Sequence, residues 1–221
     1  MTLREAFHET RFFIDKFSIP FIQNVESSLK SRVEELETLK LPTPIMRFGR
    51  DQNSIVHSWL YTGHIERQEQ YKLICSSIVR DIFKEPCYYQ SIPCYRVGFP
   101  GNRWVGSFHR DSDFGHSNSE LNVILALTDM HDSSALHVET SPGSFKYQSL
   151  NMKQGEFIIF NHIDLLHGCK INRTGKMVMS IDFRFIPLSA SVSAFTNPSV
   201  TVNSLMPMKP GGYFSADILS P

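Results

Sequence analysis

Two histidines and one aspartate have the residue types and the spacing of a metal-binding catalytic centre. His109 and Asp111 lie in the segment Ser-Phe-His-Arg-Asp-Ser-Asp, and His167 lies further along the chain in Leu-Leu-His-Gly. Two imidazoles and one carboxylate can hold one face of Fe(II) and leave open positions for oxygen and a substrate. The sequence therefore predicts a non-heme iron site formed by His109, Asp111 and His167, and with it an oxidative enzyme.

The short His-X-Asp pattern occurs twice, so its context has to decide which copy matters. The second copy is His162-Ile-Asp164, and with nine histidines in the chain about one match is expected by chance. Several segments with strand character follow Asp111, whereas only one follows Asp164. These segments span residues 120–128, 134–140, 156–160 and 176–185. A β-barrel therefore fits around His109, and we expect His162 and Asp164 to be hydrogen-bonding or surface groups on the approach to His167.

The overall composition is that of an ordinary globular protein. Of the 221 residues, 41% are hydrophobic and 20% are charged, with 22 basic and 22 acidic side chains. Proteins that bind nucleic acids usually carry a clustered basic excess, so this balance argues against DNA or RNA as a partner. The longest apolar runs have only the length of a strand, and the first residues lack the apolar core of a signal peptide. We therefore expect a cytoplasmic protein without a membrane partner.

The chain divides into three zones, which we assign to one domain. Residues 1–86 form a helical N-terminal part, in which apolar periodicity predicts helices over about 22–41 and 65–83. Residues 87–187 contain short strands separated by turn-forming Pro, Gly and Asn residues. Residues 188–221 form an extension rich in Ser, Pro and Asn. Three roles are open for this extension. It could fold over the barrel mouth, pack on a partner subunit or simply be an ordered extension on the surface.

The expected fold is mainly β with flanking helices. Short strands at this spacing are typical of an antiparallel barrel or a jelly roll. The N-terminal helices are expected to buttress one sheet of that barrel, a packing role that carries no chemistry. We therefore predict a double-stranded β-helix, the jelly-roll barrel of cupin-like proteins, as the frame of the metal site.

Several ordered motifs resemble one known family. They are Pro100-Gly-Asn, Phe108-His-Arg-Asp-Ser-Asp-Phe-Gly-His116, Leu121-Asn-Val-Ile-Leu-Ala-Leu-Thr-Asp129, Val138-Glu-Thr-Ser-Pro-Gly143, His167-Gly, Asn172-Arg-Thr-Gly175 and Ser180-Ile-Asp-Phe-Arg184. Together they resemble the streptomycin-biosynthesis oxygenase-like family, which belongs with the phytanoyl-CoA-dioxygenase-like enzymes. The resemblance implies a double-stranded β-helix that uses Fe(II), 2-oxoglutarate and dioxygen to oxidise small biosynthetic intermediates.

The resemblance also implies the type of reaction. 2-Oxoglutarate would be converted to succinate and carbon dioxide while a small-molecule substrate is oxidised. Related halogenases have a small residue where this sequence has Asp111, so the aspartate favours hydroxylation, desaturation or cyclisation. Two alternatives stay open: an iron oxygenase that does not use 2-oxoglutarate, and a cupin-like binding protein without catalysis. The sequence is compatible with a monomer or a homodimer.

One position departs from the family pattern. Eleven residues after the second histidine, the phytanoyl-type enzymes have an arginine that binds the distal carboxylate of 2-oxoglutarate, but here the residue is Val178. Burying that carboxylate without a partner would cost several kcal/mol. Either another residue supplies the cation or the cosubstrate differs.

Strand alternation narrows the choice of cation. If Val178 occupies the position of the arginine, its face of the strand lines the barrel interior, and Lys176, Ser180 and Arg184 share that face. Lys176 lies about 7 Å from Val178 along the strand, and Arg184 about 20 Å from it. Lys176 is nearer, whereas Arg184 belongs to the matching Asp-Phe-Arg motif, so the two rank equally. Arg96, on the strand before the metal motif, ranks behind them, and Ser180 is a further candidate contact of the cosubstrate.

Five more residues are candidates for contacts with the cosubstrate or the substrate. The resemblance implies that Asn122 contacts the cosubstrate, although an asparagine at the start of a strand is as often structural. Glu139 could orient a metal ligand or bind substrate, or it could be a surface charge on an edge strand. Asp113, His116 and Trp104 could bind substrate, with core packing as the alternative for Trp104.

Overall fold

Helices precede most of the β-structure, as the apolar periodicity predicts, but the short strand Thr10–Phe12 comes before them. The computed structural model describes residues 10–12, 18–32, 52, 54–103 and 107–221. Its helices are α1 (Ser18–Lys30), α2 (Ile55–Thr62), α3 (His64–Ile78) with a π-helical continuation over Val79–Phe83, and α4 (Ser191–Phe195) in the C-terminal extension.

One of the two predicted helices is confirmed, and the other is shorter than predicted in the described part of the chain. The helix expected over 65–83 is confirmed by α3 and its π-helical continuation, which ends where Lys84 adopts a left-handed conformation with φ of 56°. The helix expected over 22–41 is present as α1 but already ends at Lys30, and residues 33–41 lie outside the described part of the chain. Helix α2 was not predicted, although Ser54 provides a hydrogen-bonding N-cap for it.

Antiparallel strands form two sheets. The strands are β1 (Thr10–Phe12), β2 (Cys87–Gln90), β3 (Cys94–Gly98), β4 (Leu121–Ala126), β5 (Leu136–Glu139), β6 (Tyr147–Leu150), β7 (Phe157–Phe160), β8 (His167–Cys169), β9 (Val178–Pro187) and β10 (Phe214–Leu219). The larger sheet has the order β1-β7-β4-β9-β2-β10, and β3 pairs with the other half of β9. The smaller sheet has the order β6-β5-β8.

The strand order is that of a double-stranded β-helix. An isolated bridge between His109 and His167 adds a fourth segment to the smaller sheet, beside β8. The larger sheet then contributes β3, β4, β7 and β9, and the smaller one the His109 segment, β5, β6 and β8. Eight segments in two facing sheets form a jelly roll. The predicted fold class, mainly β with flanking helices, is confirmed.

Alternate residues of strand β4 point into two different cores. Val123 and Leu125 pack into a cluster that also contains residues of α1, α2 and α3. Ile124 and Ala126 belong to a second cluster, which contains residues of both sheets. The helices therefore cover the outer face of the larger sheet, as expected, and the inner face is left to line the interior of the jelly roll.

No described helix has the length and apolarity that a membrane span requires.

Two buried histidines, His57 in α2 and His64 at the start of α3, should make the stability of the metal-free protein depend on pH. Burial, together with the nearby charge of Arg96, lowers the pKa of His57 to about 4, and burial together with Arg67 does the same for His64. The unfolded chain takes up these protons near pH 6.5, but the folded protein only near pH 4. Between these values each histidine should therefore reduce the free energy of unfolding, by up to about 3 kcal/mol.

Urea denaturation of the metal-free protein at several pH values measures this effect. The double variant His57→Gln, His64→Gln should show a smaller decline in stability between pH 6.5 and pH 4 than the wild type. The variant His131→Gln is the matched control, because the side chain of His131 is 56% exposed. A double variant with the same pH profile as the wild type would contradict the assignment.

Candidate metal centre

The structure brings together the three residues that the spacing singled out. His109 and His167 exchange two backbone hydrogen bonds of 3.0 and 2.9 Å, which hold them side by side across the smaller sheet. Asp111 begins the 3₁₀ turn Asp111–Phe114, two residues after His109. Its Oδ1 lies 3.4 Å from Nε2 of His109 and 3.3 Å from Nε2 of His167. One ligand atom from each residue lies within 4.8 Å of the others.

Both imidazole rings are oriented so that Nε2 can act as a metal ligand. Nδ1 of His109 lies 2.9 Å from the carbonyl oxygen of Ser107, and Nδ1 of His167 lies 3.0 Å from that of Leu165. A carbonyl only accepts hydrogen bonds, so Nδ1 carries the proton and Nε2 presents its lone pair. This outer hydrogen bond is typical of metal-binding histidines, since it fixes the tautomer and the ring orientation. The donor set therefore fits a divalent metal.

Asp111 is buried but is kept ionised by its neighbours. Its Oδ2 accepts hydrogen bonds from Nη2 of Arg184 at 2.6 Å and from Nδ1 of His162 at 2.9 Å. Burial alone would raise the pKa of the carboxyl, but the charge of Arg184 and the hydrogen bond from His162 hold the pKa well below its ordinary value. Oδ1 thus faces the histidines with its negative charge available. His162 is a hydrogen-bonding group, as the sequence predicts.

Arg184 connects the centre to a neighbour on its own strand and to three other segments of the chain. Its Nη1 donates to the hydroxyl of Tyr213 at 2.8 Å and lies 3.2 Å from Oδ2 of Asp182 and 3.3 Å from Oε1 of Gln90. Its Nε lies 3.6 Å from a carboxylate oxygen of Glu120. Sequence reasoning missed these partners. Only Asp182 had a signal, because it shares the inward face of β9 with Arg184.

The other candidates for cosubstrate binding lie at different distances from the centre. Arg96 and Asn122 line a small inner cavity of about 30 Å³ together with the triad, Asp182 and Arg184. Ser180 is fully buried, and its inward face on β9 is flanked by Arg96 of β3. Lys176 is exposed in the loop before β9 and does not line this cavity. The structure therefore brings Arg96 and Arg184, but not Lys176, to the candidate metal ligands.

Glu139 contacts the segments that carry the candidate ligands. It is fully buried, which overturns the alternative that it is a surface charge. Its carboxylate accepts hydrogen bonds from the backbone N–H groups of Phe145 and Leu166 at 2.8 and 3.2 Å, and it lies 3.6 Å from Nη2 of Arg110. Leu166 precedes one ligand and Arg110 separates the other two. Glu139 therefore ties both ligand-bearing segments together.

The three candidate substrate contacts have separate outcomes. Asp113 is exposed and accepts a hydrogen bond from the backbone N–H of Arg110 at 3.1 Å, which closes the 3₁₀ turn. His116 pairs with Glu120 at 2.7 Å and lines the large cavity described next. Trp104 lies outside the described residues.

A cavity of about 540 Å³ opens onto two of the candidate metal ligands, His109 and Asp111. His109, Asp111 and Arg184 line it, together with Phe114 and His116. The C-terminal extension provides a further wall through Thr201, Val202, Asn203, Ser204, Met206, Met208, Gly212 and Tyr213. Of the three roles open for the extension, the structure shows the first, since these residues cover the cavity beside the metal ligands.

Position 168 in the His-Gly motif requires glycine, because Phe108 packs closely against its backbone. An added Cβ would lie 3.0 Å from ring atoms of Phe108 and 3.1 Å from its Cα. Phe108 precedes the ligand His109, so Gly168→Ala should push that segment away from His167. We expect a loss of about 1–3 kcal/mol in unfolding free energy and metal binding that is about tenfold weaker.

Calorimetric titration with Mn(II) and thermal unfolding measure the two effects of Gly168→Ala. The control is Gly175→Ala, where φ is +74° and no atom lies within 4 Å of the added Cβ. It should cost about 1 kcal/mol through backbone strain alone and leave the metal affinity unchanged. Equal metal affinities in both variants would contradict the role assigned to Gly168.

Similarity of this chain to known proteins is found both in shape and in sequence. No protein-family model matches the sequence. Two solved structures have a related shape, with TM-scores below 0.5 that carry no conclusion about function. The carbocyclase SnoK from nogalamycin biosynthesis is 13% identical with a TM-score of 0.49, covering 84% of this chain and 83% of its own. AviO1 from Streptomyces viridochromogenes Tue57 is 11% identical with a TM-score of 0.47, covering 85% and 94%.

A curated protein gives a stronger match by sequence. The streptomycin biosynthesis protein StrG from Streptomyces griseus is 28% identical over 205 residues, which are 93% of this chain and 96% of that protein. The similarity thus extends well beyond the motifs around the metal centre. The predicted resemblance is confirmed, and the chain is a sequence homologue of a streptomycin biosynthesis protein.

Proposed function

We propose that this protein is an Fe(II)/2-oxoglutarate-dependent dioxygenase that hydroxylates, desaturates or cyclises a small biosynthetic intermediate. One observation carries the proposal: two imidazole Nε2 atoms and one ionised carboxylate converge within 4.8 Å beside a cavity of about 540 Å³. A 2-His-1-carboxylate face with open positions is typical of non-heme Fe(II) oxygenases. Similarity to a protein named for streptomycin biosynthesis supports a biosynthetic role.

The residues around the ligands have identifiable tasks in this function. When bound, Fe(II) and 2-oxoglutarate would supply an oxidant made from dioxygen, with succinate and carbon dioxide as the products of the cosubstrate. Arg184 and His162 keep Asp111 charged and aimed at the histidines. The rings of Phe114 and Phe160 pack edge-on against His109 and His167, with centroids 5.3 Å apart in both pairs. These contacts exclude water from one side of each ligand.

The cavity determines which bond of a substrate would face the metal. Its described lining includes hydroxyl and amide side chains as well as apolar ones such as Ile92 and Phe114. The orientation that this wall imposes would decide between hydroxylation, desaturation and cyclisation, because a shift of about 1 Å changes which atom reacts.

We propose that the enzyme works in the cytoplasm as a monomer or homodimer, with no nucleic-acid or membrane partner.

A second candidate function is favoured by Val178. This side chain is 3% exposed and packs in the inner apolar cluster, so it offers no partner for a distal carboxylate. An iron oxygenase that keeps the triad but takes its electrons from its own substrate would need no such partner.

Anaerobic absorption spectroscopy separates these possibilities. The protein is mixed with Fe(II), and spectra are recorded before and after 2-oxoglutarate is added. A new metal-to-ligand charge-transfer band supports the proposed function. Iron binding without the band supports the oxygenase that does not use 2-oxoglutarate. No iron binding overturns both and leaves a cupin-like binding protein.

A further inference from the structure

Both arginines that line the cavities are already paired with one carboxylate. Arg96 binds Asp182 in a bidentate manner, with Nε 2.6 Å from Oδ1 and Nη2 3.3 Å from Oδ2. Arg184 lies 3.2 Å from the same Oδ2. Asp182 is 6% exposed, and it stands on the inward face of β9. The guanidinium groups of both arginines therefore contact the same buried carboxylate, that of Asp182.

Arg96 lies closer than Arg184 to the position where the family pattern has its arginine. In the sheet, Arg96 pairs with Ser180, and Ser180 is the next inward-facing residue after Val178 on β9. Arg184 is three inward-facing positions from Val178, which is about 20 Å. Arg184 is also held by Asp111, at 2.6 Å, and by Tyr213. Arg96 is therefore better placed to meet a carboxylate in front of Val178.

Two buried polar atoms near the two arginines have no hydrogen-bond partner: Ser180 lies opposite Arg96 in the sheet, and Asn122 lies opposite Arg184. The hydroxyl of Ser180 and Oδ1 of Asn122 are both buried and unpaired, and Asn122 lines the same inner cavity as Arg96. Buried polar atoms are normally paired, so such exceptions point to a missing ligand or water. A serine hydroxyl can donate a hydrogen bond to a carboxylate.

We infer that Asp182 is an internal counter-carboxylate that holds Arg96 until the distal carboxylate of the cosubstrate replaces it, with Ser180 as the accompanying hydrogen-bond donor. This inference rests on the proposed function. Arg184 stays with Asp111 during the exchange and keeps the metal ligand in place. Asp182 is thus a positioning residue that weakens the binding of 2-oxoglutarate, because two carboxylates compete for one guanidinium.

Isothermal titration of the Mn(II)-loaded protein tests the exchange without turnover. The ligands are 2-oxoglutarate and 2-oxobutyrate, which offers the same chelating group but no distal carboxylate. Asp182→Asn should bind 2-oxoglutarate at least about tenfold more tightly than the wild type, because a like charge a few ångströms away is removed. Arg96→Gln should bind it at least about tenfold more weakly. The affinity for 2-oxobutyrate should change less than about twofold in either variant.

The controls separate this inference from the proposed function. Asp217→Asn removes an exposed partner of Lys72 and should change neither affinity. If Asp182→Asn does not fold, Arg96→Gln still decides, since an unchanged affinity for 2-oxoglutarate would overturn the exchange. Equal changes for both ligands in the variants would indicate a merely structural role and overturn the inference alone. If the wild type binds metal but neither 2-oxo acid, the proposed function fails, and the inference fails with it.

Discussion

We expect Asp111→Ala to bind Fe(II) at least about 100-fold more weakly than the wild type and to show no detectable oxidation of substrate. The carboxylate is one of three donors within 4.8 Å and the only charged one. Loss of an outer hydrogen bond to a ligand already costs about 10–100-fold in metal affinity, so loss of the ligand itself should cost more. Anaerobic equilibrium dialysis against Fe(II) measures the affinity directly.

Asp113→Ala provides a matched control two residues away. Asp113 belongs to the same 3₁₀ turn, but its side chain is exposed and only accepts a hydrogen bond from the backbone of Arg110. The control variant should retain Fe(II) binding. Asp111→Ala should still fold, because Arg184 keeps Asp182 and Tyr213 as partners. Wild-type metal affinity in Asp111→Ala would rule out the proposed centre.

We expect Arg184→Gln to lose about 3–5 kcal/mol of unfolding free energy in the metal-free protein, because a buried charge is removed from its partners. The guanidinium is 5% exposed and contacts two carboxylates directly, those of Asp111 and Asp182. Glutamine has no charge to compensate either of them. For a domain of this size, the loss corresponds to a fall of about 10 °C in Tm, which thermal denaturation followed by circular dichroism would show.

Lys72→Gln is the corresponding control at the surface. Lys72 forms an ion pair of 3.0 Å with Asp217, and both side chains are exposed. Exposed pairs contribute less than about 1 kcal/mol, so this variant should melt within about 3 °C of the wild type. If Arg184→Gln melted as high as Lys72→Gln, the charge network around Asp111 would contribute nothing to folding.

Several features of the fold were predictable because their signals are local. Helix α3 follows from apolar residues at helical spacing, and β4 and β9 follow from runs of apolar and β-branched residues. Strand β6 was missed because Tyr147–Leu150 is partly exposed and mixes polar with apolar residues. Strand β10 was missed because it completes the larger sheet only by pairing with β2, more than a hundred residues away.

The sequence by itself determined the candidate ligands: residue types, their order and the strands around them limited the candidate metal centre to His109, Asp111 and His167. Only the tertiary structure decided how that centre is charged. Arg184, Asp182 and Tyr213 meet at Asp111 and Arg96 through contacts between distant segments, and no periodicity in the chain records such contacts. Burial then gives these contacts their strength, since charges interact more strongly where water is excluded. The local pattern thus named the candidate metal ligands, and the fold placed the charged side chains that surround them.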